Sequence, residues 1–193
     1  MARTIEFDRN DVLEKAMNTF WQNGYSMTSI PNLVESTKLN PGSIYSAFKS
    51  KEGLFLETLE FYGQRSVAQL KHYLDESDSP LAAIESFLNS IVDKCKSTDK
   101  RGCLIVNTML EMSSHNKEVQ SKANTQLQAV EDELVKALQQ AQEMGEISEN
   151  RNPEDLAKFL MVSIWGLRVL AKTNPDAKSA DIVLQQILFS LNN

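Results

Sequence analysis

The sequence predicts an all-α protein of about nine helices, and two observations support this prediction. Only seven glycines and five prolines occur among the 193 residues. Apolar residues recur at spacings of three and four along nearly the whole chain, which is the period of amphipathic helices. With 41% hydrophobic residues, the chain can bury a real core without a disulfide or a metal ion. We therefore expect no cofactor and no metal site.

The first three helices are predicted to form a small N-terminal head. Helix 1 should span about Arg9–Asn23, because its apolar residues fall on one stripe and Gly24 can supply a left-handed ending. Thr28 is a good N-cap for a short second helix. Asn40 should cap a third short helix that begins with Pro41, where the fixed φ of proline is favourable.

A longer fourth helix, at about residues 51–75, should follow the N-cap Ser50 and connect the head to the remainder of the chain. Beyond Pro80, the breaks in the apolar pattern predict five more helices. They lie at about 81–97, 103–113, 117–144, 154–173 and 179–191. We thus divide the chain into a head of residues 1–51 and a larger helical body of residues 52–193.

The third helix has an outer face of small residues. Ile44 and Phe48 lie on one side of it and can be buried against helix 1, whereas the other side carries Pro41, Gly42, Ser43, Ser46 and Ala47. A helix that enters the major groove of DNA must be short, supported by a second helix and lined with small or polar side chains. The alternative is an ordinary short connecting helix.

In order and spacing, residues 12–55 resemble the head of the TetR family of transcriptional regulators. The matching elements are Gly24-Tyr25, Thr28-Ser29-Ile30, Gly42-Ser43-Ile44-Tyr45, Phe48 and Ser50-Lys51-Glu52-Gly53-Leu54-Phe55. The helical body extends the resemblance over the whole chain. The resemblance implies a homodimeric bacterial regulator, most often a repressor, that binds double-stranded operator DNA and is released by a small-molecule inducer.

The resemblance also implies DNA contacts for head residues at matching positions. They are Thr28, Ser29, Lys38, Asn40, Pro41, Gly42, Ser43, Tyr45, Ser46, Ala47 and Lys51. Thr28, Tyr45 and Lys51 would bind phosphates, while Ser43 and Ser46 would read base edges. For Tyr45, packing within the head is the alternative. Lys38 replaces a glycine that commonly takes positive φ in this family, so the turn before helix 3 should be strained or slightly different.

In the body, the resemblance implies that the last two long helices pair with a second subunit. The candidates for this interface are Leu160, Ile164, Trp165, Leu167, Ile187 and Leu188. It also implies a ligand pocket among helices 4 to 8, with candidates Phe61, Phe87, Ile91, Cys103, Val106, Asn107, Leu110 and Arg168. For most of the pocket candidates the alternative is core packing, and Arg168 is equally compatible with an intersubunit salt bridge.

Cys103 is also a candidate redox or electrophile sensor. It follows Lys100-Arg101-Gly102 at a predicted helix start, where two cations and the helix N-terminus would favour the thiolate. The run Gly102-Cys103-Leu104 resembles a signature of a TetR subset that includes electrophile-responsive regulators, and Lys172 is a candidate partner. The alternative is a small buried side chain at a helix start.

The charge of the chain is unevenly distributed. The net charge is −6, but residues 1–51 hold six Lys/Arg against five Asp/Glu, and residues 52–193 hold fourteen against twenty-one. A head at +1 can present its cations on one face, whereas a body at −7 would be repelled by phosphates. The sign of this asymmetry agrees with a DNA-binding head.

Several other classes of protein are disfavoured. The two histidines, His72 and His115, lack a metal-ligand spacing, and the chain has no phosphate-binding loop or nucleophile elbow, so we expect no enzyme and no catalytic residue. No secretory signal is visible, and the longest apolar tract, residues 159–171, is too short to span a bilayer. We therefore expect a cytoplasmic protein without membrane contact. The remaining alternative is a helical interaction module that does not bind DNA.

Overall fold

The computed structural model describes residues 7–112, 115–173 and 177–192. Within these ranges the chain forms nine α-helices and no strand, which confirms the predicted fold class. The helices are α1 Arg9–Asn23, α2 Ile30–Thr37, α3 Pro41–Phe48, α4 Lys51–Asp75, α5 Pro80–Lys96, α6 Leu104–Met112, α7 Lys117–Glu143, α8 Pro153–Lys172 and α9 Ala177–Asn192. The predicted end of the sixth helix, at residue 113, lies outside the described residues.

The N-cap of α2 differs from the sequence prediction. The cap is Ser29, not Thr28: the Ser29 hydroxyl accepts from the backbone N–H of Asn32 at 3.3 Å, and the Asn32 side chain accepts from the N–H of Ser29 at 2.9 Å. This reciprocal pair is a capping box, which satisfies two otherwise unpaired donors. The cap of α3 agrees with the prediction, because the Asn40 side chain accepts from the N–H of Ser43 at 2.9 Å.

The described chain divides into two compact units, with boundaries after Gln64, Cys103 and Gln126. The first unit contains α1 to α3, the first half of α4, α6 and the start of α7, and the second contains the remainder. The expected boundary after residue 51 therefore differs from the structure. The reason is that the first half of α4 buries Phe55 within the head, where its ring centroid lies 4.8 Å from that of Phe20.

Within the first unit, α4 and the start of α7 pack closely against each other. A Cβ on Gly63 would overlap the side chain of Gln126, and the Lys122 ammonium donates to the Glu60 carboxylate at 2.9 Å. Position 63 therefore has room only for glycine, because a larger side chain would force α4 and α7 apart. This approach explains why the start of α7 belongs to the same unit as the head.

The second unit has a large core made by α4, α5, α7, α8 and α9. Four residues expected at a dimer interface lie inside this core instead and are at most 5% exposed: Leu160, Ile164, Leu167 and Ile187. The other two, Trp165 and Leu188, are partly buried and pack against it. The expectation was wrong for the four core residues, because the apolar stripe that defines each helix faces its own chain.

A second set of apolar side chains is exposed on α8 and α9. We call this set the outer apolar face: Phe159, Val162, Val169, Ile182, Val183 and Phe189, each between 37% and 64% exposed. Gly166 lies on the same stripe of α8 as Val162 and Val169, and nothing lies within 4 Å of the place where its Cβ would be. A glycine there leaves room for another helix backbone to approach.

No helix in the described part of the chain has the length and apolar character needed to cross a membrane. Among the same residues, no cluster of three His, Cys, Asp or Glu side chains is arranged to hold a metal ion.

Candidate nucleic-acid interface

The helix α3 is attached to the head by two buried side chains, which leaves the rest of its surface open. Ile44 and Phe48 are 0% and 2% exposed. Of the predicted outer residues, Pro41, Gly42 and Ser46 are exposed, whereas Ser43 and Ala47 are half-buried. Tyr45, at 47% exposure, is available for contact with another molecule. The structure therefore presents a short helix with a small and polar outer surface.

Contacts from α1 and α4 hold the C-terminal end of α3. The Arg9 guanidinium lies 4.5 Å from the centroid of the Phe48 ring and donates to both carboxylate oxygens of Glu57, at 2.7 and 2.6 Å. A Cβ on Gly53 would overlap the carbonyl oxygen of Phe48, so only glycine allows α4 to begin this close to α3. The orientation of α3 is thus determined by the helices on both sides of it.

The turn between α2 and α3 keeps a left-handed geometry although it contains lysine. Lys38 has φ 62° and ψ 13°, and its N–H donates to the carbonyl of Val34 at 2.9 Å. The hydroxyl of Thr37 accepts from the N–H of Leu39 at 3.3 Å and closes the turn. A non-glycine residue in this conformation costs about 1–2 kcal/mol. Lys38 therefore adopts the positive φ expected at this position, with the strain that this conformation brings to a residue with a side chain.

Two residues expected to contact phosphates are placed differently. Thr28 is fully buried, and its hydroxyl donates to the carbonyl of Gly24 at 2.6 Å. Lys51 donates to the carbonyls of Tyr25 and Thr28, at 3.0 and 2.9 Å, and its ammonium lies 4.1 Å from the centroid of the Tyr25 ring. Burial withdraws Thr28 from phosphate contact, and the hydrogen bonds of Lys51 direct it to the turn between α1 and α2.

The sequence analysis missed Lys49, an exposed cation just beyond α3. Its φ is 71°, and its N–H donates to the carbonyl of Tyr45 at 3.0 Å. Lys38 is exposed at the other end of the helix. The sequence signal that could have identified Lys49 is its position directly after the helix predicted to enter the groove. These two cations lie at the two ends of α3, where the backbones flanking a major groove would pass.

A second missed residue is Glu111, near the end of α6. Its carboxylate accepts from the N–H of Ser26 at 2.8 Å and from the N–H of Tyr25 at 3.1 Å. Burial acts to raise the pKa of Glu111, but hydrogen bonds from Ser26 and Tyr25 and the charge of Lys51 outweigh burial and hold this pKa below its ordinary value. Glu111 thus stays ionised beside the α1–α2 turn.

The expected pocket residues are divided between the two units. Phe61, Val106 and Asn107 are half-buried in the first, whereas Leu110 of the same unit is 79% exposed. The interpretation of Leu110 as a pocket residue is therefore corrected, because α6 buries the face that carries Leu104, Ile105, Thr108 and Met112. In the second unit, Phe87 and Ile91 are core residues and Arg168 is half-buried.

The two cysteines are free thiols, and both are buried. Cys103 precedes α6 rather than lying in its first turn. The cations expected to activate it have other contacts: Arg101 pairs with Asp99 at 2.8 Å, and Lys100 donates to the carbonyl of Cys95 at 3.1 Å. These contacts weaken the electrostatic argument for a reactive Cys103.

Gly102 and Cys95 complete the surroundings of this segment. Gly102 has φ 73°, and a Cβ there would lie 3.0 Å from the carbonyl oxygen of Arg168 and 3.5 Å from the side chain of Lys172. Lys172, the expected partner of Cys103, therefore lies beside the preceding residue. Burial raises the pKa of the Cys95 thiol and outweighs the nearby charges of Arg168 and Lys100.

Comparison with known proteins gives a consistent result over most of the chain. The family model of the bacterial regulatory proteins, tetR family, matches residues 12–58. The model of the tetracyclin repressor-like C-terminal domain matches residues 80–187.

Individual relatives agree with the family models. The HTH-type transcriptional repressor ComR of Escherichia coli K12 is 33% identical over 168 residues, which cover 86% of this chain and 80% of that protein. The repressor DhaR of Mycobacterium sp. strain GP1 is 28% identical over 100% of this chain and 98% of its own length. A cysteine mutant of the TetR family regulator CifR, solved with a 26-bp double-strand operator, is 27% identical and superposes with a TM-score of 0.79, covering 97% of this chain and 99% of that chain.

Proposed function

We propose, from this chain's membership of the TetR family of bacterial regulatory proteins, that it binds a palindromic operator as a homodimer until a small-molecule inducer releases it. The family membership itself is shown by the comparisons, and the chain is a DNA-binding transcriptional repressor of that type. The observation that carries the proposal is the outer surface of α3, whose exposed small and polar residues suit a major groove. We further propose that the protein acts in the cytoplasm and catalyses no reaction.

On the operator, α3 would enter the major groove. Ser43 and Ser46 would donate to or accept from base edges, and Pro41 or Ala47 would contact a thymine methyl group. Lys38 and Lys49 would bind phosphates at the two ends of α3, with the Tyr45 hydroxyl between them. Burial of Thr28 removes it from the set of phosphate contacts that the family resemblance implies.

The dimer would form through the outer apolar face of α8 and α9. Six exposed apolar side chains on two adjacent helices are more than the surface of a monomeric protein usually exposes in one place. The open side of Gly166 would let the same helix of a second copy approach closely. Two copies are also what an operator requires, because recognition helices about 34–36 Å apart fit successive major grooves.

We place the inducer in the second unit, near Arg168. This residue is half-buried on α8, and its charge acts on Lys94 of α5, whose pKa is lowered by burial first and then by Arg168. A polar side chain in an otherwise apolar helical layer is a common means of orienting a ligand.

The direct test is selection of duplexes from a random pool by the purified full-length protein, followed by anisotropy titrations at several salt concentrations. We expect a roughly palindromic sequence bound by a dimer. Ser46→Glu should abolish binding because it places a carboxylate in the major groove, where the surrounding phosphates repel it. The same charge change at Gln140→Glu, on the exposed side of α7, should have little effect. If no duplex is enriched above non-specific binding, the alternative of an interaction module without DNA binding replaces the proposal.

A further inference from the structure

The turn between α1 and α2 is held from two sides by opposite charges. The Glu111 carboxylate of α6 accepts from the N–H groups of Tyr25 and Ser26. The Lys51 ammonium of α4 donates to the carbonyls of Tyr25 and Thr28. The anion therefore binds backbone donors and the cation binds backbone acceptors of the same five-residue segment, Gly24 to Thr28.

We propose that Glu111 and Lys51 form a charge clamp on this turn and are positioning residues for operator binding. The inference rests on the proposed function, because its consequence is a change in operator affinity. It departs from the family resemblance at Lys51, which would otherwise bind a phosphate. It also assigns a role to Glu111, a residue outside the helix-turn-helix sequence.

The local geometry supports a clamp at this place. The Thr28 hydroxyl bonds back to Gly24 and closes the turn, and Ser29 follows at once as the cap of α2. The turn therefore determines where α2 begins. Gly24 has φ 80°, and a Cβ on it would lie 2.9 Å from the Glu111 carboxylate. This positive φ favours glycine, and a side chain at this position would also require the Glu111 carboxylate to shift.

The position of Glu111 in its own helix is a separate argument. It is the penultimate residue of α6, which ends at Met112. A carboxylate in the last turn opposes the helix dipole and disfavours the helix by itself. The two backbone N–H groups and the charge of Lys51 offset this unfavourable interaction with the helix dipole. The residue thus contributes more to the turn than to α6, and it connects α6 to the α1–α2 turn through hydrogen bonds that a neutral side chain would not make as strongly.

The clamp and a phosphate contact predict different salt dependences. A lysine that neutralises a phosphate releases a counterion, and its removal makes the negative slope of log K against log salt less steep by about 0.9. A lysine that binds backbone carbonyls releases none. Removing it weakens operator binding at all salt concentrations alike, and the slope stays the same.

The experiment is a double-mutant cycle with the full-length protein and its selected operator. Lys51→Met and Glu111→Ala should each weaken binding by about three- to tenfold with an unchanged salt slope. The double variant should lose less than the product of the two effects, because either change alone releases the same turn. Lys49→Met provides the contrast, since an exposed phosphate contact should reduce the slope by about one unit per head.

A matched control uses another acidic residue of the same unit. Glu60→Gln breaks the ion pair with Lys122 without touching the turn, and operator affinity should stay within twofold, a margin of about 0.4 kcal/mol. A reduced slope in Lys51→Met, or fully multiplicative effects in the double variant, would overturn the proposal.

Amide hydrogen exchange of the free protein tests the clamp without DNA. In Glu111→Ala, the amides of Tyr25 and Ser26 should exchange faster than in the unsubstituted protein, because both lose their acceptor. Unchanged exchange overturns the clamp whatever the binding data show. If the unsubstituted protein binds no duplex, the proposed function fails, while the exchange rates still decide whether the clamp exists.

Discussion

The Arg9 guanidinium lies over the ring of Phe48, 4.5 Å from its centroid, so the start of α1 covers the last residue of α3. The same guanidinium pairs with Glu57. We expect Arg9→Ala to lower the free energy of unfolding by about 1 kcal/mol, because a partly exposed cation–π contact and a surface ion pair are each worth somewhat less than that. Urea denaturation measures the change.

Lys15→Ala is the matched control on the same helix. Its exposed i,i+4 pair with Asp11 has an N–O distance of 2.6 Å but no aromatic contact, so its removal should cost about 0.3–0.5 kcal/mol. Equal effects of the two substitutions would show that the ring contact contributes nothing.

Lys38 combines a left-handed backbone with an exposed charge, and two substitutions separate these properties. Lys38→Gly removes the backbone strain but adds freedom to the unfolded chain, so stability should change by less than about 1 kcal/mol. Lys38→Asn removes the charge and retains a residue that tolerates this conformation. Both should reduce the salt slope of operator binding by about one unit per head. An unchanged slope in both would exclude a phosphate contact.

Gly102 and Gly145 have nearly the same φ, 73° and 74°, but different surroundings. A Cβ at Gly102 meets the carbonyl oxygen of Arg168 at 3.0 Å, whereas nothing lies within 4 Å at Gly145. Both alanine substitutions incur the same backbone strain. Gly102→Ala should therefore cost about 1–3 kcal/mol more than Gly145→Ala, measured by chemical denaturation, because it must also displace its neighbours. Equal costs would contradict this packing.

The outer apolar face is expected to mediate the dimer, and the core residues beneath it are not. Val162→Glu should convert the protein to a monomer in sedimentation velocity at micromolar concentration. The substitution places one carboxylate from each subunit, two in all, in the apolar interface. Ile164→Ala should remain dimeric and lose about 2–5 kcal/mol of stability from its core cavity. A dimer that survives Val162→Glu would show that the subunits associate elsewhere.

Cys103 and Cys95 should differ in their rates of maleimide labelling. Cys95 should react slowly at neutral pH, because burial raises its pKa and its thiol donates to the carbonyl of Leu167 at 3.2 Å. Labelling of Cys95→Ser reports Cys103, and labelling of Cys103→Ser reports Cys95. A sensor role for Cys103 requires that it label faster and that labelling release the operator. If labelled protein keeps its affinity, Cys103 is a packing residue.

The sequence alone determined the helices and the outward surface of α3. The three- and four-residue spacing of apolar side chains, together with Gly24, Asn40 and Pro41, predicted helix ends to within two residues where both ends had been assigned. These are local properties, because periodicity and capping depend on neighbours a few residues away. The exposure of Gly42 and Ser46 follows from the same helical periodicity that places Ile44 and Phe48 on the buried side of α3.

Only the tertiary structure decided which apolar stripe of α8 faces the core and what the charged residues contact. Leu160 and Val162 have similar hydrophobicity, yet one is buried and the other is 62% exposed, because helix packing determines the rotation of α8. Lys51 and Glu111 are 60 positions apart in the chain, and their meeting at one turn depends on the folding of α6 beside the head. Such long-range contacts leave no local pattern, since the sequence records the polarity of a side chain and not the partner that folding brings to it.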